Sequence, residues 1–301
     1  MKLKSITAAD FIGLKVPPRQ YVFSPFLPVG GLAEIYARTG VGKTTFALAL
    51  SVAAATGKDF FSWQVKRSWN VLYVDGEMST QEMQERLTKT SAHFDHPTYE
   101  LTNLRLICRD RLHRGIPDIG STIGQSWFDN DAAWADLIFL DNISCLWWTG
   151  KENDADSWSV IQQWLLKLKA DGKSVIMLHH SGKNGTSRGT SRRHDILDTV
   201  IKLERPMSYS EAEGAKFEVH FDKTRGFSGS KAEPLGLQYQ SDHNASSWLD
   251  FEVTNDRELT VTNLLSGGMK QQDIAEQLGI SQSQVSKIIG RARSRGVYQS
   301  K

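Results

Sequence analysis

The chain has 301 residues, with 36 Lys and Arg against 34 Asp and Glu, a formal charge of +2. At 40% hydrophobic and 23% charged it can bury a core, which excludes a disordered chain, and its near-neutral balance excludes a globally basic, chromatin-type protein. Two cysteines, Cys108 and Cys145, give neither a disulfide framework nor metal-ligand spacing, so a reducing compartment is expected.

The first fifteen residues, MKLKSITAADFIGLK, lack the apolar run of a signal peptide. The most apolar helical stretch, 46–55, is about half of a membrane span. A soluble, cytoplasmic protein with no membrane partner is the expectation. Residues 1–32 form a mixed N-terminal segment with turn signals at Pro17-Pro18, Pro25, Pro28 and Gly30-Gly31. Residues 33–37 (AEIYA) read as a strand, 44–56 as a helix and 71–74 (VLYV) as a buried strand. Ser79-Thr80 open a polar helix, 104–107 is a weaker strand, and 137–140 (LIFL) is a strong one. A helix over 157–170 and a strand at 175–178 (VIML) follow. Strands alternating with helices predict an α/β fold, a mostly parallel sheet covered on both faces. Runs at 196–203, 217–221, 235–239 and 248–253 predict an antiparallel extension of it. The core domain is placed at 1–257 and a small all-α domain at 258–301.

Residues 37–44 read Ala-Arg-Thr-Gly-Val-Gly-Lys-Thr, a P-loop pattern in which Ala37 replaces the usual first glycine. The nucleotide-binding set is Arg38, Thr39, Gly40, Val41, Gly42, Lys43, Thr44 and Thr45. Gly40 and Gly42 let backbone N–H groups converge on phosphate oxygens, Lys43 neutralises the β and γ phosphates, and Thr44 offers its hydroxyl to Mg²⁺. ATP and Mg²⁺ are therefore the expected substrate and cofactor. Asp141 closes LIFLD at the sheet's ligand-binding edge and is the second metal-holding group. Glu77 is the leading candidate to orient the attacking water, provided that its strand neighbours the P-loop strand; Asp75 is the rival.

These residues carry a family resemblance. The chain resembles RecA-like ATPases of the hexameric replicative helicase type and is most similar to the plasmid RepA helicase group, also described as AAA-25-type P-loop ATPases. The resemblance runs over residues 15–240. It rests on the P-loop, YVDGEMS (73–79), the Asp141 strand, VIMLHHSG (175–182), SRGTS (187–191) and DKTRG (222–226). It implies that His179 or His180 senses the γ-phosphate. It implies that Lys223 and Arg225 reach a neighbouring subunit's nucleotide, as an arginine finger does. It implies a hexameric ring, and a basic channel loop over 183–193 in which Lys183, Arg188, Arg192 and Arg193 contact single-stranded DNA; Arg188 is alternatively a nucleotide-site residue. Trp147-Trp148 is a base-stacking candidate, with interface packing as the other reading.

Residues 271–295 (QQDIAEQLGISQSQVSKIIGRARSR) read as a helix-turn-helix. Ala275 sits at the helix crossing, Gly279 in the turn and Val285 on the inner face, with Ile274, Leu278, Ile280 and Ile288 in the other buried slots. Ser281 and Gln284 form a capping-box start. Gln282, Ser283, Ser286 and Lys287 are the candidate base and phosphate contacts, with Arg291, Arg293 and Arg295 following. Residues 260–301 hold six cations and two acids, so the near-neutral total conceals a DNA-directed tail. The sequence thus predicts an ATP-dependent DNA motor, probing single strands with its core and duplex DNA with its tail. A nucleotide-switched DNA-binding regulator and a recombination ATPase are the rivals.

Overall fold

A computed structural model of the chain describes residues 5–113, 115–149, 155–182, 192–206, 209–241, 246–253 and 256–294. The strands are β1 (Tyr21–Phe23), β2 (Leu27–Pro28), β3 (Leu32–Ala37), β4 (Val71–Asp75), β5 (Leu104–Cys108), β6 (Leu137–Asp141), β7 (Ser174–His180), β8 (Thr199–Glu204), β9 (Ala215–Thr224), β10 (Leu235–Ser241) and β11 (Ser246–Phe251). The helices are α1 (Ala8–Ile12), α2 (Lys43–Thr56), α3 (Thr80–His93), α4 (Thr122–Ser126), α5 (Asp129–Trp134), α6 (Ile143–Leu146), α7 (Ala155–Ala170), α8 (Arg192–Asp195), α9 (Asp256–Ser266), α10 (Gln271–Gln277) and α11 (Gln282–Ser294).

Strands β3 to β11 form one nine-stranded sheet in the order β11-β10-β9-β8-β3-β7-β6-β4-β5. The six strands from β8 to β5 pair in parallel, and β9, β10 and β11 extend the sheet antiparallel. This is the α/β architecture that the alternating pattern predicts. Each central strand is buried on both faces, so it reads as a continuous apolar run rather than an alternating one.

Side-chain parity decides what each strand sends to which face. Ala33, Ile35, Val71, Tyr73, Leu137, Phe139, Ile176 and Leu178 pack with α2 in one core. Leu32, Tyr36, Leu72, Val74, Ile138, Leu140, Val175 and Met177 pack with α7 in the other. The next residues along these strands inherit the alternation. Asp75, Asp141 and His180 fall on the α2 face, whereas Glu34 and His179 fall on the α7 face.

The sheet corrects two expectations. The 196–203 run, expected in the antiparallel extension, forms β8, which pairs in parallel with β3; the antiparallel part begins at β9. β4 does not neighbour β3; β7 and β6 stand between them. Glu77 therefore reaches the P-loop by another route, described below.

The helices α9, α10 and α11 build a separate small core from Val261, Ile274, Ala275, Val285 and Ile289, with Leu278, Ile280 and Ile288 half-buried against it. Gly279 turns between α10 and α11 at φ +62°, a conformation in which a side chain would be strained. Ser281 and Gln284 cap α11 reciprocally: the Gln284 N–H donates to Ser281 Oγ at 3.2 Å, and the Ser281 N–H donates to Gln284 Oε1 at 2.9 Å. No helix of the described residues is long and apolar enough to cross a membrane.

Candidate nucleotide site

The site is assembled where β3 ends. The chain leaves Ala37, turns through Gly40 (φ +80°) and Gly42 (φ +118°), and enters α2 at Lys43. Gly42 is required twice. Its backbone angle suits glycine, and a Cβ there would meet Phe217 at 3.0 Å and Ala215 at 3.1 Å. The loop thus lies close against β9, and the N–H groups of the first turn of α2 remain available for an anion.

A pocket of about 450 Å³ opens over this turn. Thr39, Gly40, Gly42, Lys43, Thr44 and Thr45 line it from the loop, and Glu77, Asp141, Asn142 and His180 line it from the ends of β4, β6 and β7. Arg38 and Val41 instead line a smaller pocket on the loop's other side, with Tyr36 and Leu203.

Lys43 is buried, and burial lowers its pKa although the charges of Asp141 and Glu77 raise it. Its ammonium donates to His180 Nδ1 at 3.1 Å and to the Ala37 carbonyl at 3.4 Å. An ammonium can only donate, so Nδ1 accepts and the imidazole proton sits on Nε2. That nitrogen faces Glu77 Oε2 at 4.0 Å. Asn142 stands between Glu77 and His180. Its Nδ2 donates to Glu77 Oε2 at 2.6 Å and lies 3.2 Å from His180 Nε2, while its Oδ1 accepts the Cys145 N–H as the N-cap of α6.

Asp141 is buried and accepts a 2.6 Å hydrogen bond from Tyr73. Burial raises its pKa, against the hydrogen bonds of Tyr73 and Thr44 and the charge of Lys43. Asp75 aligns with Asp141 on the adjacent strand. Burial first, and the Asp141 charge second, push it up to about 7. Its Oδ2 accepts the Met78 N–H, and it does not line the pocket. Glu77, half exposed, does. The geometry therefore separates the two rival carboxylates.

These residues suit Mg²⁺-nucleotide. A hydroxyl and a carboxylate stand together at Thr44 and Asp141, beside a loop shaped to take an anion. Among the described residues no cluster of three or more His, Cys, Asp or Glu could hold a metal alone. Mg²⁺ on a nucleotide needs only one or two protein oxygens, with phosphates and water supplying the rest.

Several sequence-based assignments change. His179 is fully buried on the opposite face, beside Arg193, and does not enter the pocket; His180 does. Arg193 is not a surface cation for DNA. It is 2% exposed, and its Nε lies 3.0 Å from Glu34 Oε2, an acid buried in the middle of β3. Trp147 is 5% exposed and packs against Trp158, while Trp148 is 65% exposed, so the pair is split. Lys223 donates to the His194 carbonyl, and Arg225 donates to the Asp195 carbonyl at 3.3 Å and approaches Asp198. Neither enters this chain's own pocket. Lys183 and Arg188, and the side chains of Arg192 and Arg291, lie outside the described residues. Gln282, Ser283, Ser286, Lys287 and Arg293 are exposed on α11.

Four contributors escaped the sequence reading: Asn142, Tyr73, Glu34 and Arg86. Arg86 of α3 lines the pocket and donates to Thr45 Oγ1 at 3.5 Å. Asn142 carries a usable signal, since an Asn directly after the strand-ending acid and before an apolar turn is a preferred N-cap.

A glycine-turned phosphate loop between a strand and a helix, with a Thr44–Asp141 pair and a converging carboxylate, defines a RecA-like P-loop ATPase. The AAA_25 family, described as an AAA domain, matches residues 1–186, more than half of the chain, and the chain belongs to it. The fold is similar to that of the flagellar accessory protein FlaH from Methanocaldococcus jannaschii, with TM-score 0.53, 14% identity, and coverage of 75% of this chain and 91% of that one. A KaiC-like protein from Pyrococcus horikoshii OT3 aligns with TM-score 0.52 and 16% identity over 76% of this chain and 93% of that one. The RadB recombinase aligns with TM-score 0.50 and 15% identity over 70% and 88%. No curated protein matches the chain.

Proposed function

We propose that this ATPase is a ring-forming motor on single-stranded DNA, a replicative helicase of a plasmid, phage or other mobile element. The carrying observation is the junction of Asn142 with Glu77 and His180, one hydrogen bond away from Lys43. Lys43 and the loop N–H groups hold the phosphates, and Thr44 and Asp141 hold Mg²⁺. The metal supplies charge neutralisation on the phosphates. Glu77 orients and deprotonates the attacking water, and Asn142 fixes its carboxylate. His180 meets the γ-phosphate side of the site and moves with it. Lys223 and Arg225 serve the neighbouring subunit's nucleotide, which makes each site a shared one.

The C-terminal helices present Gln282, Ser283, Ser286, Lys287 and Arg293 on one exposed face of α11. In this reading that face binds duplex DNA and directs the motor to a loading site.

A forked-duplex unwinding assay with ATP, run beside a mass measurement, tests the proposal. Unwinding by a closed oligomer is the expected result. Open filaments on DNA without unwinding would favour a strand-exchange ATPase. Slow hydrolysis unstimulated by single strands, with tight binding to one duplex, would favour a nucleotide-switched regulator.

A further inference from the structure

The smaller cavity, of about 270 Å³ on the other side of the phosphate loop, has a chemistry that the nucleotide site leaves unused. Three cations line it, Arg38 from the loop and Lys202 and Arg205 from the end of β8 and just beyond, against one acid, Glu204. A second carboxylate nearby, Asp222, takes the hydroxyl of Tyr36. Lys202 pairs with Glu204 at 2.6 Å, an exposed ion pair of little strength. Among the described residues neither Arg38 nor Arg205 forms an ion pair with a carboxylate. Both are exposed, so the positive charge faces solvent. A cavity of this balance is complementary to an anion.

Arg205 also touches the loop. Its guanidinium donates to the Gly40 carbonyl at 2.9 Å and lies 4.0 Å from the centre of the Tyr209 ring. A guanidinium carries five N–H groups, so one bond to Gly40 leaves others for a ligand. Thr39 lines both cavities, and its Oγ1 lies 3.2 Å from His180 Nδ1, the nitrogen that accepts from Lys43. An anion that draws Arg205 away from Gly40 therefore acts on the same loop that holds ATP. The kind of anion follows from the arrangement. Cations spread across an exposed mouth, with an aromatic ring beside one of them, are the means by which proteins hold the backbone and bases of a single strand.

We infer that this cavity takes a backbone phosphate of single-stranded DNA, held by Arg38, Lys202 and Arg205, and that its arrival loosens Arg205 from Gly40 and so signals DNA to the phosphate loop. This rests on the motor reading for its ligand, and it names the contact through which DNA alters hydrolysis.

The test uses the full chain with Mg²⁺ and a non-hydrolysable ATP analogue, with a fluorescent oligothymidylate as the probe. Lys202→Gln and Arg205→Gln should each weaken binding and lower the slope of log Kd against log salt by about 0.7, the share of one phosphate contact on a single strand. Glu204→Gln removes the competing acid and should tighten binding, a gain that misfolding does not produce. Lys66→Gln, at an exposed cation that lines neither cavity, should leave the slope unchanged. With ATP, Lys202→Gln should keep DNA-free hydrolysis and need about threefold more oligothymidylate for half-maximal stimulation. Arg205→Gln should lose most of the stimulation. If oligothymidylate binds and stimulates wild type and these variants alike, the inference fails while the motor reading stands. If Lys202→Gln or Arg205→Gln abolishes DNA-free hydrolysis with the salt slope unchanged, these cations serve a nucleotide and the inference fails. If inorganic phosphate alone stimulates wild type but not Lys202→Gln, and oligothymidylate adds nothing, the cavity takes the free ion and the inference fails. If wild type neither binds nor responds to single strands, the motor reading fails and takes this inference with it.

Discussion

Asn142 holds Glu77: its Nδ2 lies 2.6 Å from Glu77 Oε2, across the end of the sheet from β6 to the turn after β4. Two strands, β7 and β6, stand between β4 and the P-loop strand, so Glu77 has no direct backbone route to the phosphates. Asn142 supplies the link, and it also touches His180, which touches Lys43. Removing this amide frees the carboxylate without touching the phosphate loop. Asn142→Ala should lower kcat about a hundredfold, in line with the cost of misplacing a catalytic group by an ångström, and leave KM for ATP within about threefold. Steady-state ATPase kinetics check this.

The two acids of VDGEM should separate cleanly. Glu77→Gln should abolish hydrolysis while a fluorescent ATP analogue still binds. Asp75→Asn should keep hydrolysis within about tenfold, because Asp75 lies below the pocket with its Oδ2 on the Met78 N–H. Single-turnover measurements on both variants would reveal a reversed assignment.

Asp198 should give stability that acid removes. Burial raises its pKa, but the hydrogen bonds from Lys169 (2.6 Å) and the Leu32 N–H (3.0 Å), with the Lys169 and Arg225 charges, bring it below the ordinary aspartate value. A carboxylate depressed in the folded state stabilises above its unfolded pKa, and that stability is lost as pH falls through the folded value. Asp198→Asn should therefore cost about 2 kcal/mol at pH 7. The difference from wild type should shrink below about pH 4, around the unfolded value. Urea denaturation at several pH values measures it.

Arg193 gives a contrast between structural and DNA-contact roles. Its partner Glu34 is buried, with His194 Nε2 a second neighbour at 3.6 Å, so Arg193→Met takes the guanidinium from a buried acid and should cost about 3 kcal/mol. Charge removed from a DNA contact would instead reduce the salt dependence of binding with little loss of stability. Thermal denaturation and a salt titration of DNA binding, run on the same variant, distinguish the two.

The phosphate loop, the Asp141 strand and the parallel sheet were legible because fully buried strands and a glycine-lysine turn leave strong local patterns. The face assignment at His179-His180 was not. A strand buried on both sides has no polar alternation to reveal which histidine looks at α2; only the packing of Ile176 and Leu178 under that helix decides it. Arg193 was misread because it follows a Gly-rich basic stretch, while its partner stands in AEIYA, far away in sequence. The signal was present in Glu34 itself, since an acid in the middle of a buried strand requires a partner. The order β3-β7-β6-β4 leaves no mark in the chain, so the route to Glu77 through Asn142 needed the sheet.

The central claim is a P-loop ATPase whose hydrolysis serves single-stranded DNA. The most direct measurement is steady-state ATPase of wild type and Lys43→Ala with Mg²⁺, with and without single-stranded DNA. The account predicts wild-type hydrolysis that rises severalfold with DNA and a Lys43→Ala variant reduced at least a hundredfold under both conditions. Full activity in Lys43→Ala would contradict the nucleotide site, and wild-type hydrolysis indifferent to single strands would contradict the motor.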